Sequence, residues 1–168
     1  VKKNLILLGM MGVGKSTLGK IVAKRMNLKF IDTDIVIEKK HSMTISEIFK
    51  KKGEAFFRQE EEKEVLEAIE KSSCVIALGG GAFINTGVRN KILKNSISIW
   101  LDVNLKTLVK RVKWNKKRPL LNSQNSKTKI KELYIKRKNI YKLANYKINC
   151  NYLSKGIIIK KIITLYES

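Results

Sequence analysis

The chain has 168 residues with 43% hydrophobic content, enough for one ordinary core, so a single domain over 1–168 is expected. Cys74 and Cys150 lie far apart in apolar surroundings, which excludes a disulfide framework or a cysteine metal site and favours buried thiols. A net charge of +22 attracts polyanions, but 30 of the 36 basic residues are lysine in a chain crowded with Ile and Asn, and no aromatic residues interleave with a basic stripe; composition bias accounts for the charge, and no nucleic-acid partner is expected.

Taken in chain order, residues 4–8 read as a short apolar strand that stops at Gly9, far short of a signal core or a membrane span, so a soluble, cytoplasmic protein is expected. A glycine loop follows, and helical spacing of Leu18, Ile21, Val22 and Met26 predicts a helix over 16–26. Residues 28–31 read as a second strand, 45–51 and 54–71 as helices, and 74–78 as a buried strand ending in Gly79-Gly80-Gly81. A helix over 88–93, a strand over 97–101 and a helix over 105–112 come next. The polar stretch 113–127, which contains the only proline, reads as a long loop, either a lid or disordered. A helix from 128 to 143, a strand over 146–150 and a helix over 156–166 close the pattern. Short strands apolar on both faces, alternating with helices, predict an α/β fold: a parallel sheet with helices on each side.

Gly9-Met10-Met11-Gly12-Val13-Gly14-Lys15-Ser16 fits the G-x-x-x-x-G-K-[ST] template between a strand and a helix. Glycines let the backbone turn its N–H groups around a phosphate, Lys15 reaches the β- and γ-phosphates, and Ser16 offers its hydroxyl to Mg²⁺. ATP and Mg²⁺ are therefore the expected co-substrate and cofactor. Asp32-Thr33-Asp34 follows the second strand, at the sheet edge where α/β folds bind ligands. Read as extended chain, it turns both carboxylates to one site: one for Mg²⁺, one to orient a hydroxyl and take its proton. A capping or turn role fits the same tripeptide equally well. The guanine-reading Asn-Lys-x-Asp of GTPases is absent, which leaves the small-molecule and nucleotide kinases.

Gly-Met-Met-Gly-Val-Gly-Lys-Ser-Thr at 9–17, Asp32-Thr33-Asp34, Phe57-Arg58 followed by Glu61, Gly79-Gly80-Gly81 and Arg118-Pro119-Leu120-Leu121 together resemble the shikimate kinase family in order and spacing, over residues 4 to about 150. The resemblance implies a three-layer αβα fold with a five-stranded parallel sheet in the order 2-3-1-4-5, a substrate-binding segment over about 33–61 and a lid over about 113–127. It implies ATP and shikimate as partners, with transfer of the γ-phosphate to the 3-hydroxyl of shikimate. Gly12, Val13, Gly14, Lys15, Ser16, Thr17, Arg111 and Arg118 would bind ATP, and Ser16 and Asp32 would hold the metal. Asp34, Arg58, Gly80, Gly81 and Arg137 would hold shikimate, with Asp34, Lys15 and Arg118 catalytic and Asp34 the candidate base. The run after Arg137 departs from the family's by lacking a proline and a closing acidic residue, and the adenine-side loop near 149–155 also lacks a proline.

The residues read on their own agree with these roles. A carboxylate substrate is best gripped by guanidinium forks, and Arg58, Arg111, Arg118 and Arg137 are four of only six arginines. Arg25 and Arg89 read as surface charges or ion pairs. Glu54 and Glu61 are candidates to hold the substrate arginines, and Phe49 and Phe57 to line the pocket or the core. His41, the only histidine, is expected to be exposed and without a catalytic role. Rival readings are a gluconate or nucleoside-monophosphate kinase, a non-catalytic ATP-dependent switch and a basic nucleic-acid binder. A monomer is the default expectation.

Overall fold

A computed structural model of the chain describes residues 3–113 and 126–168. Strands β1 (Asn4–Leu8), β2 (Lys29–Asp32), β3 (Cys74–Ala77), β4 (Ser96–Asp102) and β5 (Tyr146–Asn149) form one sheet in the order β2-β3-β1-β4-β5. Every neighbouring pair is parallel, with Leu5 opposite both Val75 and Ile97, so β1 lies at the centre. All residues of β1 and β3 are buried, as strands covered on both faces must be. The fold class and strand order are those the sequence implies.

Helices α1 (Lys15–Met26), α2 (Thr33–His41), α3 (Ile45–Lys52), α4 (Glu54–Glu70), α5 (Thr86–Asn95), α6 (Leu105–Lys113), α7 (Ser126–Tyr141) and α8 (Lys155–Glu167) supply the covering layers. Leu18 and Val22 of α1 and Ile158 and Ile162 of α8 join the core that surrounds β1, where Trp100 and Tyr141 are the bulkiest fully buried side chains. A second, smaller core of Ile37, Ile48 and Phe57, edged by Met43, Ile45, Phe49 and Phe56, holds α2, α3 and α4 together as a unit beside the sheet. Phe57 is therefore core, and Phe49 packs on it at 4.9 Å between ring centroids. Cys74 and Cys150 are buried thiols, as expected. Among the described residues no helix is long and apolar enough to cross a membrane.

After β2 the structure has the capping form of Asp32-Thr33-Asp34, not the extended one: Asp32 ends β2, its Oδ1 accepts from the N–H groups of Asp34 and Ile35, and α2 begins at Thr33. The sequence pattern hides α2 because Ile35-Val36-Ile37 is an unbroken β-branched run that reads as strand, while the cap at Asp32 starts a helix. His41, expected to be exposed, sits at the end of that helix against α4, with Nε2 2.7 Å from Glu60 Oε2 and its ring edge-on to Phe56. A capping box between Thr44 and Glu47 starts α3.

Candidate active site

The loop between β1 and α1 is built by its glycines. Gly9, Gly12 and Gly14 have φ of 144°, 84° and 99°, a region that penalises any side chain. Gly14 occupies the N-cap of α1 in a left-handed conformation with no side-chain cap, so the helix starts directly from the glycine loop. Lys15 Nζ donates to the carbonyls of Gly9 and Met10 at 2.8 and 3.0 Å, which holds the ammonium across the loop. Val13 is buried by its side chain, so it has only its backbone to offer a ligand. Arg111 of α6 is exposed and donates to the Gly12 carbonyl at 3.2 Å.

A cavity of about 450 Å³ and another of about 380 Å³ meet at the Gly79-Gly80-Gly81 turn that ends β3. The smaller opens over the phosphate loop and is lined by Gly12, Gly14, Lys15, Ser16, Thr17, Arg111, Gly80, Asp32 and Asp34. Despite the helical start at Thr33, the two carboxylates thus reach one cavity. The Ser16 hydroxyl donates to Asp32 Oδ2, so the carboxylate that caps α2 also faces the first turn of α1. A hydroxyl and a carboxylate side by side are hard oxygen donors that suit Mg²⁺. Among the described residues there is no group of three or more His, Cys, Asp or Glu that could hold a metal ion.

The larger cavity carries Arg58, Glu61, Gly81 and Arg137, with Ile84, Val88, Leu133 and Ile140 as its apolar wall. Here the glycines are needed for space. A Cβ on Gly79 would stand 2.5 Å from Asp34 Oδ1 and 2.7 Å from Glu61 Oε1, one on Gly80 3.0 Å from Arg137 Nη1, and one on Gly81 inside the Arg58 guanidinium. The turn therefore gathers both arginines and both carboxylates around bare backbone.

Electrostatics arms the two arginines differently. Arg58 Nη1 donates to Glu61 Oε2 at 2.7 Å and Nη2 to Glu54 Oε1 at 3.4 Å. Burial opposes the charge on Arg58, but Glu61 and Glu54 more than offset that, and its pKa stands above the ordinary arginine value. Glu61 is only 3% exposed, and its burial raises its pKa above the usual carboxylate range against the pull of Arg58 and then Arg137. Arg137 is 6% exposed, presented by α7 at the floor of the cavity. The residues after it depart from the family pattern.

The site residues implied by the sequence thus line these two cavities, except Val13, whose side chain is buried, and Arg118 with the segment around it, which lies outside the described residues. Arg89 is neither a solvated charge nor an ion pair: its guanidinium donates to the carbonyls of Phe83 and Ile84 and closes the short 3₁₀ turn Ala82–Ile84 after the triple glycine. Sequence reasoning missed Tyr141, whose hydroxyl donates to the Gly80 carbonyl; its only signal was its place four residues after Arg137.

Comparison with known proteins gives concordant results. A family model described as shikimate kinase matches residues 11–167. A shikimate kinase of Sulfurihydrogenibium is 43% identical over 162 residues, covering 96% of each chain, and one of Bartonella quintana is 44% identical, covering 96% of this chain and 77% of its own. Among solved structures, a shikimate kinase from Acinetobacter baumannii in complex with shikimate superposes with a TM-score of 0.94 at 32% identity, covering 98% of this chain and 93% of that one.

Proposed function

Since the chain belongs to the shikimate kinase family and is an ATP-dependent phosphotransferase acting on shikimate, we propose that Asp34, Arg58, Gly80, Gly81 and Arg137 hold shikimate while the loop Gly12, Val13, Gly14, Lys15, Ser16 and Thr17 presents ATP. The observation that carries this assignment is the triple-glycine turn, which stands between the phosphate-loop cavity and a cavity with two arginines in it. A cyclohexene ring with a carboxylate at one end and hydroxyls at the other matches that polarity: guanidinium groups at one pole, Asp34 and the phosphate loop at the other.

The reaction transfers the γ-phosphoryl group in line to the 3-hydroxyl, and positioning and charge neutralisation do most of the catalysis. The two arginines fix the carboxylate and so the ring, which brings the 3-hydroxyl to Asp34 at the rim of the phosphate-loop cavity. Asp34 orients that hydroxyl and accepts its proton as the O–P bond forms. Lys15 leaves its loop carbonyls for the β- and γ-phosphates and offsets the charge on the transferring group, and Arg111 lies where the nucleotide's base end emerges. Ser16 and Asp32 would hold Mg²⁺, which when bound neutralises charge on the β- and γ-phosphate oxygens. Arg118, in a lid over about 113–127, would add a further positive charge. We place the enzyme in the cytoplasm, as a monomer with one kinase domain.

The test is coupled ADP release with Mg²⁺·ATP, offering shikimate, gluconate, CMP and AMP in parallel, alongside the Asp34→Asn variant. Turnover with shikimate alone that the variant abolishes is expected. Preference for a nucleotide or gluconate, or ADP release independent of any acceptor, would overturn the acceptor assignment.

A further inference from the structure

We propose that Tyr141 is a positioning residue for the acceptor's carboxylate, its hydroxyl joining the Arg137 guanidinium to the Gly80 carbonyl so that arginine and glycine turn are held as one unit. The inference rests on the reading that Arg137 and the triple-glycine turn receive that carboxylate. Tyr141 closes α7, four residues after Arg137, so the two side chains share one face of the helix. Its ring packs against Trp100, centroid to centroid 6.0 Å, and the residue is 1% exposed. A phenylalanine would fill that space as well, so packing alone gives no reason for a hydroxyl in the core; a buried hydroxyl lowers stability unless it is hydrogen-bonded.

The hydroxyl donates to the Gly80 carbonyl, with the Met10 sulfur of the phosphate loop 4.0 Å away. The Arg137 guanidinium stands beside the same glycine, its Nη1 3.0 Å from where a Gly80 Cβ would be, and its charge acts on the phenol. Burial pushes the phenol up to about 12, which keeps it a neutral donor at any physiological pH. Because the peptide unit is planar and trans, aiming the Gly80 carbonyl at Tyr141 aims the N–H of Gly81 the opposite way, away from the ring. Gly81 and Arg137 both line the acceptor cavity. One hydroxyl therefore sets the rotation of the Gly80–Gly81 peptide and restrains the guanidinium beside it, two groups that a carboxylate would meet together. Arg58 has Glu61 and Glu54 to hold it; for Arg137 the corresponding restraint comes through Tyr141.

The test uses Tyr141→Phe, which keeps the ring and removes the hydroxyl, with shikimate affinity read by calorimetry without turnover and KM and kcat by coupled ADP release. Loss of one hydrogen bond to a charged group should weaken shikimate binding by about five- to twentyfold, with kcat and the KM for ATP changed by less than about twofold. A ring triol that lacks the carboxylate should bind wild type and variant equally. In an Arg137→Lys background the added effect of Tyr141→Phe should shrink below about twofold, because the second change removes a restraint on a group already gone. Unchanged shikimate affinity in the folded variant, equal losses for ATP and shikimate, or full additivity with Arg137→Lys would overturn the role. Wild-type protein that fails to bind shikimate would instead overturn the acceptor assignment, and the positioning role with it.

Discussion

Replacing Gly79 by alanine isolates how much of the rate depends on where two carboxylates stand. Gly79 does not have a positive φ, so alanine strains no backbone there, and the whole effect comes from its Cβ. That atom would lie 2.5 Å from Asp34 Oδ1 and 2.7 Å from Glu61 Oε1, whereas ordinary contact begins at 3.4 Å. Both carboxylates must retreat by roughly half to one ångström, the range in which misplacement costs about a hundredfold in rate. Neither can move freely, since Asp34 sits in the first turn of a helix capped by Asp32, and Glu61 is buried against Arg58. A 10- to 100-fold fall in kcat is therefore expected for Gly79→Ala, with a stability loss of about 1–3 kcal/mol from overpacking. Gly19→Ala provides the control, because its Cβ would meet Phe30 Cε2 at the same 2.5 Å but in the packing of α1 on the sheet. Its overpacking penalty is partly offset by about 1 kcal/mol of helix propensity, and kcat should not change. Coupled ADP release with thermal unfolding on both variants decides the matter: a folded Gly79→Ala enzyme within twofold of wild-type kcat, or equal kcat losses in both, would refute the steric account.

Asp34→Asn should lower kcat by about 10²–10⁴-fold while shikimate affinity changes far less, since the arginines still grip the carboxylate; parallel losses in both would deny the residue its role as base. Arg137→Lys should raise the KM for shikimate by about tenfold with little effect on that for ATP, because an ammonium cannot form the two-pronged contact. Glu60 is held below the usual carboxylate range by its bond to His41 and then by Lys40, so its folded pKa is the lower one: its contribution to stability is present above about 4.5 and is lost as pH falls through the folded value. The melting temperature of Glu60→Gln should therefore lie below wild type at pH 7 and converge with it in acid; a gap that stays constant would show that the bond carries no pH-linked stability.

The strands and the phosphate loop were legible because their signals are local. Residues 5–8 and Cys74–Ala77 are unbroken apolar runs, and the glycine spacing around Lys15 serves a backbone shape that few sequences can make. Helix α2 was not legible, since Ile35-Val36-Ile37 favours a strand by propensity and only the tertiary contact of Ile37 with Ile48 and Phe57 rewards the helix. His41 was misjudged for the same reason: without α2 there is nothing to carry it against Glu60. The pairing of each glycine with a particular side chain, Gly80 with Arg137 or Gly81 with Arg58, depends on contacts between segments more than twenty residues apart that no local pattern records.

The use of arginine follows from the same geometry. This chain answers most demands for positive charge with lysine, 30 of 36 times. At Arg58 and Arg137 the group is asked to do something an ammonium cannot. Arg58 bonds Glu61 and Glu54 through different nitrogens and still borders the acceptor cavity; Arg137 has its Nη1 beside Gly80 and borders the same cavity. A planar fork can be tied to the protein on one edge and remain open on the other, whereas an ammonium rotates about a single point. On the proposed assignment, a shikimate carboxylate meeting two such forks would be bound in one orientation, the requirement for delivering the 3-hydroxyl to Asp34.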